Sequence, residues 1–108
     1  MKKYRINFGK DNQVFDIIIG NDDELKPLCE KNYDETGFFA YIDNQEAFCI
    51  SIDHCTKDSI MSKLIKILCV RIISCYSNGD SIIDISDFGT MDMIANDMNK
   101  SIQLLKNI

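Results

Sequence analysis

The spacing of apolar residues divides this chain into two kinds of segment, and that division constrains its fold more than any other feature. Runs with a two-residue period fill most of the first half. Tyr4-Arg5-Ile6-Asn7-Phe8 alternates as a half-buried strand does, and Gln13-Val14-Phe15-Asp16-Ile17-Ile18-Ile19 follows after Gly9-Lys10-Asp11-Asn12, a stretch of turn chemistry. Together they predict a β-hairpin. Its second strand is apolar on successive residues at 17–19, which predicts an inner strand buried on both faces. Gly37-Phe38-Phe39-Ala40-Tyr41-Ile42 and Ala47-Phe48-Cys49-Ile50-Ser51-Ile52, split by Asp43-Asn44-Gln45-Glu46, predict a second hairpin. In the first of these strands Phe38, Ala40 and Ile42 share one face, and Phe39 and Tyr41 the other. In the second, Phe48, Ile50 and Ile52 alternate with Ala47, Cys49 and Ser51, the pattern of a one-sided strand.

Helical spacing governs the rest. Gly20 ends the second strand, and Asn21-Asp22-Asp23-Glu24 brings cap candidates and negative charge to a helix N-terminus, predicting a short helix to about Lys31 with Leu25, Leu28 and Cys29 on its apolar face. Pro27 is tolerated only in the first turn of such a helix. Thr56 or Asp58 can cap a longer helix reaching about Ser77, in which Met61, Leu64, Ile65, Leu68, Ile72, Cys75 and Tyr76 recur at helical spacing. Val70 falls on its opposite face. Asn78-Gly79 offers a left-handed terminator, and Ser81-Ile82-Ile83-Asp84-Ile85 reads as a fifth strand or an extended connector. A last helix is predicted from about Met91 to Lys106, with Met91, Ile94, Ala95, Met98, Ile102 and Leu105 inward and Asp92, Asn96, Asp97, Asn99, Lys100, Gln103 and Lys106 in water.

The predicted fold class is therefore α+β: two β-hairpins forming a mainly antiparallel sheet packed by helices, in the order ββαββα(β)α. A chain of 108 residues has the length of one domain, expected to cover 1–108, and its 45% hydrophobic content can fill a core without disulfides or metal. Eighteen Ile against three Ala, with abundant Asn, Asp and Lys, fit AT-rich coding of the kind common in accessory bacterial genes.

Cys29, Cys49, Cys55, Cys69 and Cys75 are odd in number, and the basic start Met1-Lys2-Lys3 runs into an alternating strand instead of an apolar secretion core. Reduced thiols in a cytoplasm are expected. The most apolar stretch, Ile60 to Tyr76, is interrupted by Ser62, Lys63, Lys66, Arg71 and Ser74, so no membrane helix is expected.

Several chemistries lack their residue patterns. Phosphate-cradling loops need clustered glycines, whereas Gly9, Gly20, Gly37, Gly79 and Gly89 are scattered. Zinc usually takes Cys-x-x-Cys or closely spaced Cys and His; Cys69 and Cys75 lie six apart, about 240° around a helix. No cofactor is expected. The one cluster with enzyme-like composition is Asp53-His54-Cys55, around the single histidine, but adjacent residues of an extended segment point apart, and a relay there needs a sharp turn. A small thiol-dependent enzyme or regulator centred on His54 and Cys55 is one alternative reading. The plainer one is a polar cap on the following helix with Cys55 packed as a small hydrophobe.

Charge is the remaining signal. The net charge is −5, which opposes a general affinity for nucleic-acid phosphates. It is also regional: residues 1–10 carry +4, whereas residues 11–59 hold twelve acids and three lysines. Asp22, Asp23 and Glu24 open the first predicted helix, and Asp34 and Glu35 lie beyond it beside Tyr33, Phe38, Phe39 and Tyr41. Carboxylates around an aromatic anchor suit a basic protein partner, the rings supplying burial and the charges steering. A second acidic set, Asp80, Asp84, Asp87 and Asp92, accompanies the last connector. Helix-dipole complementation at 22–24 and plain solvation elsewhere are the bland readings of both sets.

Small size, acidity, cofactor-free composition and AT-rich usage make the chain resemble bacterial toxin-immunity proteins, including those of contact-dependent growth inhibition. That class shares no single fold, so no site residue is carried over. The resemblance implies tight stoichiometric capture of a cognate toxin, often a basic nuclease, by an acidic surface in the cytoplasm, without enzymatic activity of its own. Asp22, Asp23, Glu24, Tyr33, Asp34 and Glu35 are the candidate contact residues. A phage-encoded inhibitor of a host nuclease could use the same acidity, and a homo-oligomeric module would instead use an exposed Ile-rich strand or the last helix.

Overall fold

The computed structural model describes residues 1–9, 11–29, 37–77 and 88–107. Their order is β1 (Lys2–Phe8), β2 (Gln13–Gly20), α1 (Asp22–Leu25) running into a 3-10 turn (Lys26–Leu28), β3 (Phe38–Ile42), β4 (Gln45–Ser51), α2 (Lys57–Tyr76) and α3 (Phe88–Leu105). The fold is α+β, as the two periodicities require. The possible strand at 81–85 and the terminator at Asn78-Gly79 lie outside the described residues.

The chain forms two compact units, each drawn from two stretches of sequence: Met1–Asn7 with Val14–Ile60, and Phe8–Gln13 with Met61–Ile108.

The first unit carries a mixed sheet of order β1-β2-β4-β3. Neighbouring strands joined by so short a connection as 9–12 must run antiparallel, so β1 and β2 form the first hairpin. β3 and β4 form the second, in register from Phe38 opposite Cys49 to Ile42 opposite Gln45. Its two-residue turn, Asp43-Asn44, holds both residues at positive φ, 53° and 64°, the backbone a tight hairpin needs to match strand twist. The hairpins meet through a parallel pair, β2 with β4, running from Asp16 opposite Ala47 to Gly20 opposite Ser51.

This parallel seam corrects the reading of β4. Its alternation predicts a strand with one wet face, yet β4 is an inner strand and its small residues Ala47, Cys49 and Ser51 are all buried. They alternate with large residues instead of exposed ones. Small side chains leave room on that face for Leu25, Leu28 and Cys29, which join Ile18, Phe38, Ala40, Ala47, Cys49 and partly buried Ile42 in one apolar cluster. β2 is buried on both faces, as its apolar run requires.

Two helix boundaries also differ from the periodicity. The first helix stops well short of Lys31: α1 is a single turn, and with Pro27 early in the next segment, lacking an N–H, the chain tightens into a 3-10 turn ending at Cys29. In α3, begun three residues earlier than predicted, the inward side is set by Asp97, Ser101 and Leu105, while Met91 and Ala95 face water. Asp97 is thus not a solvated residue. Its carboxylate accepts from the Tyr76 hydroxyl at 2.5 Å and from the Gly9 N–H at 3.0 Å, and these partners within the second unit outweigh the residue's preference for water.

α2 follows its prediction closely, opening with Thr56 Oγ1 accepting from the Ser59 N–H. Its buried stripe, Ile60, Leu64, Leu68, Ile72 and Tyr76, repeats every fourth residue. No helix among the described residues is long and apolar enough to cross a membrane.

Candidate functional site

Three polar or aromatic groupings emerge from the first unit. One lies where the parallel strands β2 and β4 end. Gly20 pairs with Ser51 there, and the Ile52 N–H adds one more bond to the Gly20 carbonyl at 2.9 Å. The register brings Asn21-Asp22 beside the turn at 51–54. The Asp22 carboxylate then accepts from the Ser51 hydroxyl at 2.7 Å and meets His54 Nε2 at 2.6 Å. In return the Asp53 carboxylate accepts from the Asp22 N–H at 2.9 Å, and Ser51 Oγ accepts from the Asp53 N–H at 3.1 Å.

This turn is the one that Asp53-His54-Cys55 requires, and within it His54 meets Asp22, thirty-two residues away. In a hydrolytic relay the imidazole lies between hydroxyl and carboxylate, so that it can take the hydroxyl proton. Here the carboxylate lies in the middle, and Ser51 donates to it directly. The arrangement ties two loops together and puts the Asp22 carboxylate, not the imidazole, on the Ser51 hydroxyl. Among the described residues no three His, Cys, Asp or Glu side chains are grouped so as to hold a metal ion.

The acidic triplet opening α1 is partly consumed by local structure. Asn21 and Glu24 form a capping box: Asn21 Oδ1 accepts from the Glu24 N–H at 2.9 Å, and Glu24 Oε1 accepts from the Asn21 N–H at 3.1 Å. Glu24 Oε2 lies 2.6 Å from the Met1 ammonium. That ammonium and the Asn21 N–H hold the Glu24 carboxyl below its ordinary range. Asp22 and Glu24 therefore have internal partners, while Asp23 faces water. Tyr33, Asp34 and Glu35, and of the second acidic set Asp80, Asp84 and Asp87, lie outside the described residues; Asp92 is exposed on α3.

The basic start of the chain is likewise partly committed. Asp16 is almost fully buried, and Arg5 grips it with Nε at 2.9 Å and a second nitrogen at 3.1 Å, while Lys3 Nζ stands 3.3 Å away. The Arg5 hydrogen bonds lower the Asp16 carboxyl from its ordinary range, against the opposing effect of burial and with help from Lys3.

The third grouping is aromatic. β3 is an edge strand, and Phe39 and Tyr41 project from the same face with 53% and 77% of their surface exposed. Phe39 packs edge-on against Phe48 at a centroid distance of 5.2 Å and 61° between ring planes, so one ring of the pair is fixed. Gly37 makes that possible. It sits at φ +129°, and a Cβ there would stand 2.4 Å from the Phe48 ring. Tyr41 lies opposite Glu46 in the hairpin register, and exposed Asp43 opens the turn beyond it. Of the four aromatic residues flanking Asp34 and Glu35, Phe38 is buried in the core, and Phe39 and Tyr41 are the described pair that water reaches.

All five cysteines are free, and Cys29 and Cys49 share the apolar cluster beneath α1. Burial, and secondarily Cys29, pushes the Cys49 thiol up to about 11, which marks it as an inert core residue.

No protein-family model matches the chain, and neither a curated protein nor a solved structure matches it.

Proposed function

We propose that this chain is a protein-binding inhibitor of the immunity type, which neutralises a basic toxin domain by stoichiometric capture in the bacterial cytoplasm. The observation that carries the reading is the exposed pair Phe39 and Tyr41 on an edge strand, with Asp43 and Glu46 beside them. Exposed aromatic side chains cost free energy in water, and an interface recovers it: rigid rings bury large area with little loss of side-chain freedom, while neighbouring carboxylates favour a basic partner and speed its approach. Asp23 on α1 lies beyond the other face of the sheet, which carries Phe38 and Ala40, and Asp34 and Glu35 are further contact candidates by sequence. Asp22 and Glu24 act mainly through charge, since their oxygens hold internal partners.

The test is affinity capture from the native host with wild-type protein and with the double variant Phe39→Ser/Tyr41→Ser, folding being checked by circular dichroism. One basic partner, held in a 1:1 complex by the wild type and lost from the variant, supports the proposal. A partner retained equally by both, or reproducible absence of any partner, overturns it.

A further inference from the structure

We infer that the contact between Asp22 and His54 is a pH-sensitive clasp, which holds the 51–54 turn tightly to the start of α1 when His54 is protonated and loosely when it is not. The geometry supplies both halves of the argument. His54 Nε2 lies 2.6 Å from Asp22 Oδ2, with the imidazole about one-third exposed, so protons exchange with solvent while the pair stays in contact. Asp22 is also fixed from behind, by Ser51 on its other oxygen and by Asp53 on its backbone N–H. A change in the strength of the His54 contact is thus felt by α1 and by the end of β4 together.

The sign follows from the charges. Imidazolium against carboxylate combines a hydrogen bond with an ion pair, whereas neutral imidazole keeps only the hydrogen bond from its ring N–H to the carboxylate. The groups around the contact reinforce this. Among the described residues of the elements that carry the contact, they are Asp22, Asp23 and Glu24 of α1, the last paired with the Met1 ammonium; Asp53 in the same turn; and Lys57 and Asp58 in the first turn of α2. Acids outnumber bases in this set, which favours the protonated ring. The clasp therefore contributes stability on the acid side, and that contribution falls as pH rises through the imidazole range.

His54 is the single histidine of the chain, so the response can be assigned without ambiguity. The experiment is a double-mutant cycle with Asp22→Asn, His54→Gln and the combined variant, unfolded in urea at about pH 5.5 and about pH 8.0 in low salt. Asn keeps an oxygen for Ser51, while its NH2 replaces the oxygen that meets His54, so both the charge and that acceptor are removed. The expected coupling between the two positions is about twofold to fivefold in the unfolding equilibrium constant at the lower pH, and it shrinks towards none at the higher. Equal coupling at both pH values, or none at either, overturns the clasp. If Asp22→Asn does not fold, His54→Gln alone decides: wild type must lose stability relative to this variant between the two pH values, and parallel curves overturn the inference.

Discussion

Two single residues show how narrowly the described packing is set. Gly37 combines a positive φ with a ring so close that no side chain fits. Gly37→Ala must displace Phe48 and strain the backbone, and is expected to cost about 2–4 kcal/mol, measured by urea unfolding. Because Phe48 supports Phe39, the same change should also disorder the proposed contact face. Tyr76 is the second case. Burial first, then its hydrogen bond to Asp97, pushes its hydroxyl up to about 12, so it remains a donor throughout the physiological range. Tyr76→Phe removes that donor from a buried carboxylate and should cost about 1–3 kcal/mol in the same assay. Neither role was legible beforehand. Gly37 reads as punctuation before a strand, and Asp97 sits in a run of polar residues that helical spacing alone assigns to water.

Elements were more legible than their pairing. Alternation at 4–8, 38–42 and 47–52 and the helical spacing of 57–76 correspond to strands and a helix within a residue or two, because local burial patterns set those periods. The parallel seam between β2 and β4 had no local signal. It depends on both strands being buried on two faces, and β4 disguised this by using small residues where an outer face would carry polar ones. Since that seam creates the Asp22 and His54 contact, the polar site could not be read either: its residues were visible, but their meeting was not. β1 and β2 allow a test of their own. Asp16 titrates lower in the folded chain than unfolded, chiefly through Arg5, so its contribution to stability is present above the unfolded carboxylate range, about 3.9, and is lost as pH falls through the folded value. Arg5→Ala should be less stable than wild type near pH 7 and should lose less further stability on acidification, as urea unfolding from about pH 3 to pH 7 would show. Coincident curves would mean that Lys3 alone holds Asp16.

At the scale of the whole chain, the acidity noted at the outset becomes more selective. Part of it is structural: Asp16 answers Arg5 and Lys3, Glu24 answers the N-terminus, Asp22 answers Ser51 and His54, and Asp97 answers Tyr76 and Gly9. Of the exposed carboxylates described in the first unit, Asp23, Asp43, Asp53 and Asp58, it is Asp43, with partly exposed Glu46, that accompanies the exposed aromatic pair. Charge of this kind governs how fast a partner arrives more than how long it stays, whereas the rings govern the residence time. The decisive measurement is the association rate of the captured partner between about 0.05 and 0.5 M salt, for wild type and for Asp43→Lys/Glu46→Lys. Wild-type association should slow steeply with salt, while the variant starts slower and loses most of that dependence. The same salt slope in both proteins would contradict a contact centred on Phe39 and Tyr41.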